Sequence, residues 1–371
     1  MSSSQAARDV ALIVTPQYLP LLGGMERECA LLAAELRRRG WRPVIVTEQL
    51  GLDTPLLEED DGIRVHRIPS SRERSLLVQL RVALRMARLV LRYRRSAGFA
   101  IVRTATLPAV LVGLLKRLRL VRFPTLVTAE TGGVADDVVA LAGRPLFPLS
   151  RALVASHDVL NGLCQANVDH LREYGFPEAR ITMIPNGIDT TPWEATRPPE
   201  RVGHFLFLGR LDVEKGLFEL LDAFRAVLDR HPEVTLTVAG DGAARAELER
   251  RAAELGLGGA LRLAGRVPYE ELGALFDAID CVVLPSYSEG MPLSVLEAAA
   301  HRRVLIVTDV GDMRRIFGDR IRIVPPRDGD ALREAMMAAV EDSAPSTDYG
   351  EIVEQLSIGS VADQMLRRLG V

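Results

Sequence analysis

Lysine is almost missing from this chain. Of its 46 Lys and Arg residues only two are lysine, Lys116 and Lys215, which leaves 44 arginines. A codon bias accounts for the arginines; it does not account for the two exceptions. Cysteine is equally sparse. Cys29, Cys164 and Cys281 have apolar neighbours and no metal-ligand spacing, which excludes a disulfide framework and suits buried small hydrophobes in a reducing compartment. Long apolar runs are missing too. The longest, Ala105 to Leu115, contains Pro108 and falls short of the roughly 20 residues that span a bilayer. The first residues lack the apolar stretch of a secretory signal. Nor is there an excess of one charge: 46 basic residues face 49 acidic ones, a net charge of -3, which argues against a nucleic-acid partner. A soluble, cytoplasmic chain is expected.

What is present is an ordinary globular composition, 48% hydrophobic and 26% charged over 371 residues, a length that suggests two cores. The chain alternates strand, loop and helix in both halves. Val10–Thr15, a glycine-bearing loop, a helix over Met25–Arg39 and a strand at Val44–Thr47 form one such unit. Phe205–Leu208, Val234–Ala239, Cys281–Leu284 and Val304–Thr308 carry the same grammar through the second half. This predicts an α/β protein of two doubly wound, Rossmann-like domains, residues 1–190 and 200–350. The Pro-rich stretch Thr190–Gly203 reads as the linker between them.

One segment stands apart. Between Arg72 and Arg122 lie thirteen Lys or Arg residues and a single acid, Glu73. Leu76, Leu77, Leu80, Leu84, Ala87 and Leu91 share a helical stripe, with arginines expected on the other side. Two readings stay open: a basic amphipathic helix lying on an anionic membrane surface, or a solvated helix whose leucines dock on its own sheet.

Three loops of the second half follow strands directly, where open parallel sheets bind ligands. Gly209–Gly216 holds Arg210 and Lys215, a forked donor set and a compact mobile cation, which together suit a diphosphate. The alternative is a turn held by ion pairs to Asp212 and Glu214. Ser286–Pro292 leads into Leu293, with Glu289 and Glu297 bracketing a helix start. The backbone N–H groups there donate to phosphate or hydroxyl oxygens, and two carboxylates accept hydrogen bonds from a polyol. That combination favours a nucleotide sugar over a bare nucleotide. The third loop, Gly240-Asp-Gly242, lacks the final glycine of a dinucleotide fingerprint and reads as a tight turn. Asp328-Gly-Asp330 reads as a turn, and His157 and His170 as satisfied helical residues.

In order along the chain stand Gly23-Gly24-Met-Glu26, Ile184-Pro-Asn-Gly-Ile-Asp189, Gly209-Arg-Leu with Glu214-Lys-Gly216, Val238-Ala-Gly-Asp-Gly242, Gly265-Arg-Val267 and Glu289-Gly-Met-Pro-Leu-Ser-Val-Leu-Glu297. This ordered set resembles the retaining, nucleotide-sugar-dependent glycosyltransferases of GT-B fold, family four, whose Glu-x7-Glu motif the last block matches. The resemblance runs from about residue 10 to 340. It implies that Arg210 and Lys215 hold the donor diphosphate as the glycosidic bond breaks, with Glu289 on the transferred sugar. It further implies donor contacts from Gly23, Gly24, Arg266, Val267, Gly290, Met291, Pro292 and Leu293, with Glu297 on the ribose. No metal and no cofactor is expected. A C-terminal helix over about Ile352–Leu369 is expected to return to the first domain, the active site lying in the cleft between domains.

Departures from the family pattern fall in three places. Ala129-Glu130-Thr131-Gly132-Gly133 replaces a first-domain His, leaving Glu130, Gly132 and Gly133 as acceptor-side candidates. His301-Arg302-Arg303 replaces a run of small residues, and Gly311-Asp312 stands where Gly-Gly is frequent. The expected activity is sugar transfer from a nucleoside-diphosphate sugar to a lipid-linked or cell-surface polysaccharide intermediate, at the inner face of the membrane. A nucleotide-sugar epimerase on the same fold, and a degenerate sugar-nucleotide-binding subunit, are the alternatives.

Overall fold

The computed structural model describes residues 8–20, 23–70, 75–130, 136–342 and 347–371. Two compact units emerge, Met1–Gly187 with Ile358–Val371, and Ile188–Ser357.

The first unit is built on eight strands: β1 (Val10–Val14), β2 (Arg42–Glu48), β3 (Leu57–Asp60), β4 (Ile63–Ile68), β5 (Ala97–Arg103), β6 (Thr125–Ala129), β7 (Val159–Gly162) and β8 (Ile181–Met183). Their order across the sheet is β3-β4-β2-β1-β5-β6-β7-β8. All pairs are parallel except β3 with β4. β1 and β5 are buried along their whole length, which is why they read as unbroken β-branched and aliphatic runs. Helices α1 (Gly24–Arg38), α2 (Leu76–Arg92), α3 (Leu107–Arg117), α4 (Asp137–Ala142), α5 (Phe147–Val154) and α6 (Gln165–Glu173) cover the two faces. α1 shares its core with the terminal helix Ile358–Leu369, while α2 to α6 pack a second core on the other face.

The second unit has six parallel strands: β9 (His204–Leu208), β10 (Thr235–Ala239), β11 (Leu261–Gly265), β12 (Cys281–Leu284), β13 (Val304–Thr308) and β14 (Arg322–Val324). Their order is β11-β10-β9-β12-β13-β14, the doubly wound arrangement in which direction of winding reverses between β9 and β12. In the first unit the same reversal falls between β1 and β5.

Three sequence expectations are corrected. Thr190–Gly203 is not a free linker: the division falls at Gly187/Ile188, and the stretch belongs to the second unit. There Trp193 lies under the Arg302 guanidinium, 4.6 Å from ring centroid. The C-terminal helix is two helices. Gly350–Gln355 belongs to the second unit and Ile358–Leu369 to the first, parted by the Leu356-Ser357 crossing. His157 sits in a turn before β7, not on a helix. Its Nε2 meets the Ala109 carbonyl at 3.0 Å, and burial lowers its pKa to about 4.

Arg103, counted above in the basic segment, is no surface residue. It ends β5 with no solvent exposure and donates to Glu28 on α1 and to Glu130 at the end of β6. One guanidinium thus neutralises two buried carboxylates, while burial holds the nearby Glu26 and Asp137 carboxyls above the usual range. Removing the cation leaves charges without compensation, so Arg103→Leu is expected to cost about 3–5 kcal/mol at neutral pH. Glu28 has a folded pKa raised by burial, so its ionised form opposes folding as pH rises. The deficit should therefore shrink in acid, which paired urea titrations of both proteins at neutral and acid pH will show.

Candidate functional site

The winding reversal at β9/β12 places two loops side by side at the carboxyl ends of these strands, residues 209–216 and 285–292. Backbone contacts join them. Tyr287 N–H donates to the Glu214 carbonyl at 2.8 Å. Gly216 adopts a left-handed φ of 64°, and a Cβ there would lie 2.1 Å from the Pro285 carbonyl oxygen. Only glycine fits such a position, on both conformational and steric grounds. The third loop buttresses the first: Leu211 N–H donates to the Asp241 carbonyl and Ala244 N–H to that of Leu211. Gly240-Asp-Gly242 is thus a turn that props the Arg210 loop.

Across the joined loops, the Lys215 ammonium donates to Glu289 Oε1 at 2.5 Å, and Ser286 Oγ donates to the same oxygen at 2.7 Å. Both ends are largely shielded, with side-chain exposures of 16% and 13%. The loop cation that sequence assigns to a diphosphate is therefore in contact with the carboxylate assigned to a sugar. Neither Asp212 nor Glu214 takes Lys215. Arg210 behaves differently: its side chain is 77% exposed and paired with Asp212 at 2.9 Å.

Beyond Glu289, Gly290, Met291, Pro292 and Leu293 are all buried, and the helix Leu293–Ala300 begins with no side-chain cap. Pro292 stands at the cap position rather than inside the first turn. Every residue of that helix is buried except Glu297, which is half-buried. Glu297 is thus the one position of this helix left partly open, although its Oε2 is itself buried. Arg266 and Val267 follow β11, two strands from β9; Arg266 is exposed and 3.5 Å from Asp241. Gly240 N–H donates to the Gly265 carbonyl, fixing that loop to its neighbour.

The departures at His301-Arg302-Arg303 have structural work. Arg303 is 4% exposed and donates to the carbonyls of His301, Ile279 and Arg197. His301 stacks on Phe276, with Asp277 3.0 Å from its Nδ1. Asp312 takes a positive φ of 61° and holds Arg315. Asp328 caps the helix Gly329–Glu341 by accepting from Ala331 N–H.

In the first unit, Gly23 precedes α1 and Gly24 opens it. A Cβ on Gly23 would sit 2.3 Å from the Glu26 carboxylate, so this glycine makes room for an acid of its own helix. Glu130 is 6% exposed and committed to Arg103, not open at a substrate surface. Gly132 and Gly133 lie outside the described residues. His170 Nδ1 meets Asp136 Oδ2 at 3.0 Å. Sequence reasoning missed Arg103 and Glu28. The signal was an arginine ending an otherwise apolar strand, Phe99-Ala-Ile-Val-Arg103, at the winding reversal of the sheet.

Residues 194–355 match the model of glycosyl transferases group 1, and residues 23–187 match that of a glycosyl transferase 4-like domain. Among curated proteins, glycogen synthase of Mycobacterium tuberculosis is 32% identical over 225 residues, 59% of this chain and 54% of that protein. The match thus spans about half the length of that relative. Sucrose-phosphate synthase of Thermosynechococcus elongatus superposes with a TM-score of 0.77 at 21% identity, covering 96% of this chain and 97% of that one. Anabaena HepE in complex with UDP gives 0.74 at 15% identity, covering 97% and 99%. At these identities the superpositions establish the fold.

The Lys215–Glu289 contact should register as coupling. A double-mutant cycle of Lys215→Met and Glu289→Gln in urea unfolding is expected to give about 0.5–3 kcal/mol of interaction energy. Arg210→Met, at an exposed ion pair, should change stability by less than about 1 kcal/mol.

Proposed function

The chain belongs to the glycosyl transferases group 1, with two Rossmann-like domains of GT-B type, and from that premise we propose that it transfers a sugar, with retention, from a nucleoside-diphosphate sugar. The observation that carries the proposal is the Lys215–Glu289 contact across the joined loops at the β9/β12 reversal. A diphosphate arriving there meets an ammonium that is already positioned and partly desolvated, and exchanges with Glu289 for it. Released from Lys215, Glu289 accepts hydrogen bonds from hydroxyls of the transferred sugar. Glu297 does the same for the ribose, and the uncapped N–H groups at Leu293 face the polar ligand. That HepE, a protein of this fold, was solved in complex with UDP supports a nucleotide-bearing donor.

In the proposed reaction the anomeric C–O bond to the β-phosphate breaks and a C–O bond to the acceptor hydroxyl forms on the same face. The acceptor's proton passes to the leaving phosphate oxygen. Products are the glycoside and a nucleoside diphosphate. Negative charge grows on the diphosphate as the bond breaks, and Lys215 with Arg210 stabilises it. Prearranged cations at developing charge are often the largest catalytic term. Because these side chains supply the positive charge, the proposal calls for no metal, and activity should persist in EDTA. The acceptor we propose is a lipid-linked or polysaccharide intermediate, supported by the unpartnered basic surface of the first unit.

Lys215→Ala and Arg210→Ala should each lower kcat by about 10²–10³. Wild-type rates in both would remove the diphosphate assignment. A thermal-shift series with UDP-, GDP-, ADP- and dTDP-sugars should single out one base. Nucleotide release only when acceptor is added then marks a transferase, and sugar conversion without acceptor marks an epimerase.

A further inference from the structure

Helix α2 carries two apolar faces, and the fold uses one. Val82, Met86 and Val90 are buried in the core, with Val78 and Leu89 packed against it. On the opposite side Leu77, Leu80 and Leu84 are 68%, 57% and 53% exposed. Of the two readings left open for this helix, docking of the leucines on the sheet does not hold for Leu77, Leu80 and Leu84: Arg81, Arg85, Arg88 and Arg92 are exposed and interleave with these leucines at helical spacing.

The pattern extends to neighbouring helices. α2 packs beside α3, and α3 beside α5, in one layer over the same core. Outward from that layer stand Leu114, Leu118 and Leu120 at the end of α3, and Leu146 and Leu149 at α5. Arg117, Arg119 and Arg122 accompany them, exposed.

What distinguishes these arginines is their lack of acids. On the second-unit helices several arginines are paired one turn away, Arg225 with Asp229, Arg245 with Glu249 and Arg250 with Glu254, although the exposed Arg230 is not. No described carboxylate pairs with Arg81, Arg85, Arg88, Arg117, Arg119 or Arg122. The one lysine of the stretch, Lys116, is taken by an acid, Asp158, as is the buried Arg103 by Glu28 and Glu130. A merely solvated face would mix both signs and has no use for exposed leucines. Leucines that reach an acyl boundary, flanked by long cations at headgroup level, are the chemistry of an anionic bilayer surface.

We propose that the outward side of α2, α3 and α5 is a docking surface for an anionic phospholipid bilayer. The inference is independent of the donor site and goes beyond the sugar-transfer reading. α2 is roughly 25 Å long and lies in the interface plane, leucines toward the acyl chains. Among the described residues no helix is long and apolar enough to cross a membrane, so attachment through this face is peripheral.

The test is sedimentation of the full chain with vesicles of phosphatidylcholine alone and of phosphatidylcholine mixed with phosphatidylglycerol. Binding to the anionic vesicles only, weakened by salt, is expected. Each of Arg81→Ser, Arg85→Ser and Arg88→Ser should lower the partition coefficient about fivefold, the equivalent of about 1 kcal/mol per basic residue. Leu77→Ser with Leu80→Ser and Leu84→Ser should release the protein as well. All these positions are exposed, so urea midpoints and the nucleotide-sugar thermal shift should stay at wild-type values, which separates a failure here from a failure of the donor reading. Equal sedimentation with both vesicles overturns the proposal. Loss with the arginine variants but wild-type binding with the leucine variants identifies a surface for soluble polyanions instead. A wild-type dimer that the leucine changes dissociate assigns the face to a second copy.

Discussion

The adjacency of β9 and β12 constrains where this protein can gather charge. The chain places them side by side only after β10 and β11 have been laid down on the far side of β9. The loops leaving the two strands then have no crossover helix between them and meet over open backbone. Every feature of the second-unit site follows from that meeting. Gly216 has its left-handed turn because Pro285 passes against it, Glu214 and Tyr287 share a hydrogen bond because their loops touch, and Lys215 reaches Glu289 because both stand beyond the same seam. The single contact at 2.5 Å is the end of a chain of backbone causes, not an isolated surface pair.

The same topology in the first unit gathers a different kind of charge. At the β1/β5 reversal the strand end is occupied by Arg103, sealed from solvent between Glu28 and Glu130. The second-unit pair is largely but not wholly shielded, and in the proposed reaction one partner is exchanged for a ligand group. The first-unit cluster is closed, and loss of any member strands the others in a low-dielectric site. Two equivalent places on two related sheets thus serve opposite ends: one is poised for exchange, the other is fixed. Burial raises the carboxyls of Glu26 and Asp137 near Arg103, which shows how poorly solvent reaches this strand end and why a single arginine matters to it.

How much was legible in sequence depended on whether a residue's neighbours were local. Cys281–Leu284 and Val304–Thr308 are read correctly to the residue, because burial on both faces is a local pattern. Glu289, before the Leu293 helix, and Glu297, within it, were singled out from their spacing; the structure adds the contact of the first with Lys215. Glu28 was not: within α1 it resembles any helical glutamate, and only the distant strand end at Arg103 makes it a buried partner. Arg303 was misleading for the same reason. Its three carbonyl acceptors come from Ile279, His301 and Arg197, which no sequence window contains. The leucines of α2 stayed open to two readings because periodicity reports an apolar face without saying which of two faces the core will take.

The scarcity of lysine acquires a sharper physical meaning in this light. Arginine keeps its charge when buried and can serve several acceptors at once through its planar fork, as Arg103 and Arg303 do. Lysine offers a point charge on a flexible stem, suited to one strong partner that can be exchanged. Both lysines hold a single carboxylate, but their surroundings differ. Lys116 pairs with Asp158 and also meets the Phe123 carbonyl at 3.3 Å, fixing the start of β6, where Thr125 N–H and Oγ1 share the same aspartate oxygen. Its role is to staple. Lys215 meets a carboxylate that a hydroxyl, Ser286, already supports, so in the proposed exchange Glu289 keeps a donor as the ammonium turns to a diphosphate. A fork locked to both loops would resist that turn; a swinging ammonium permits it.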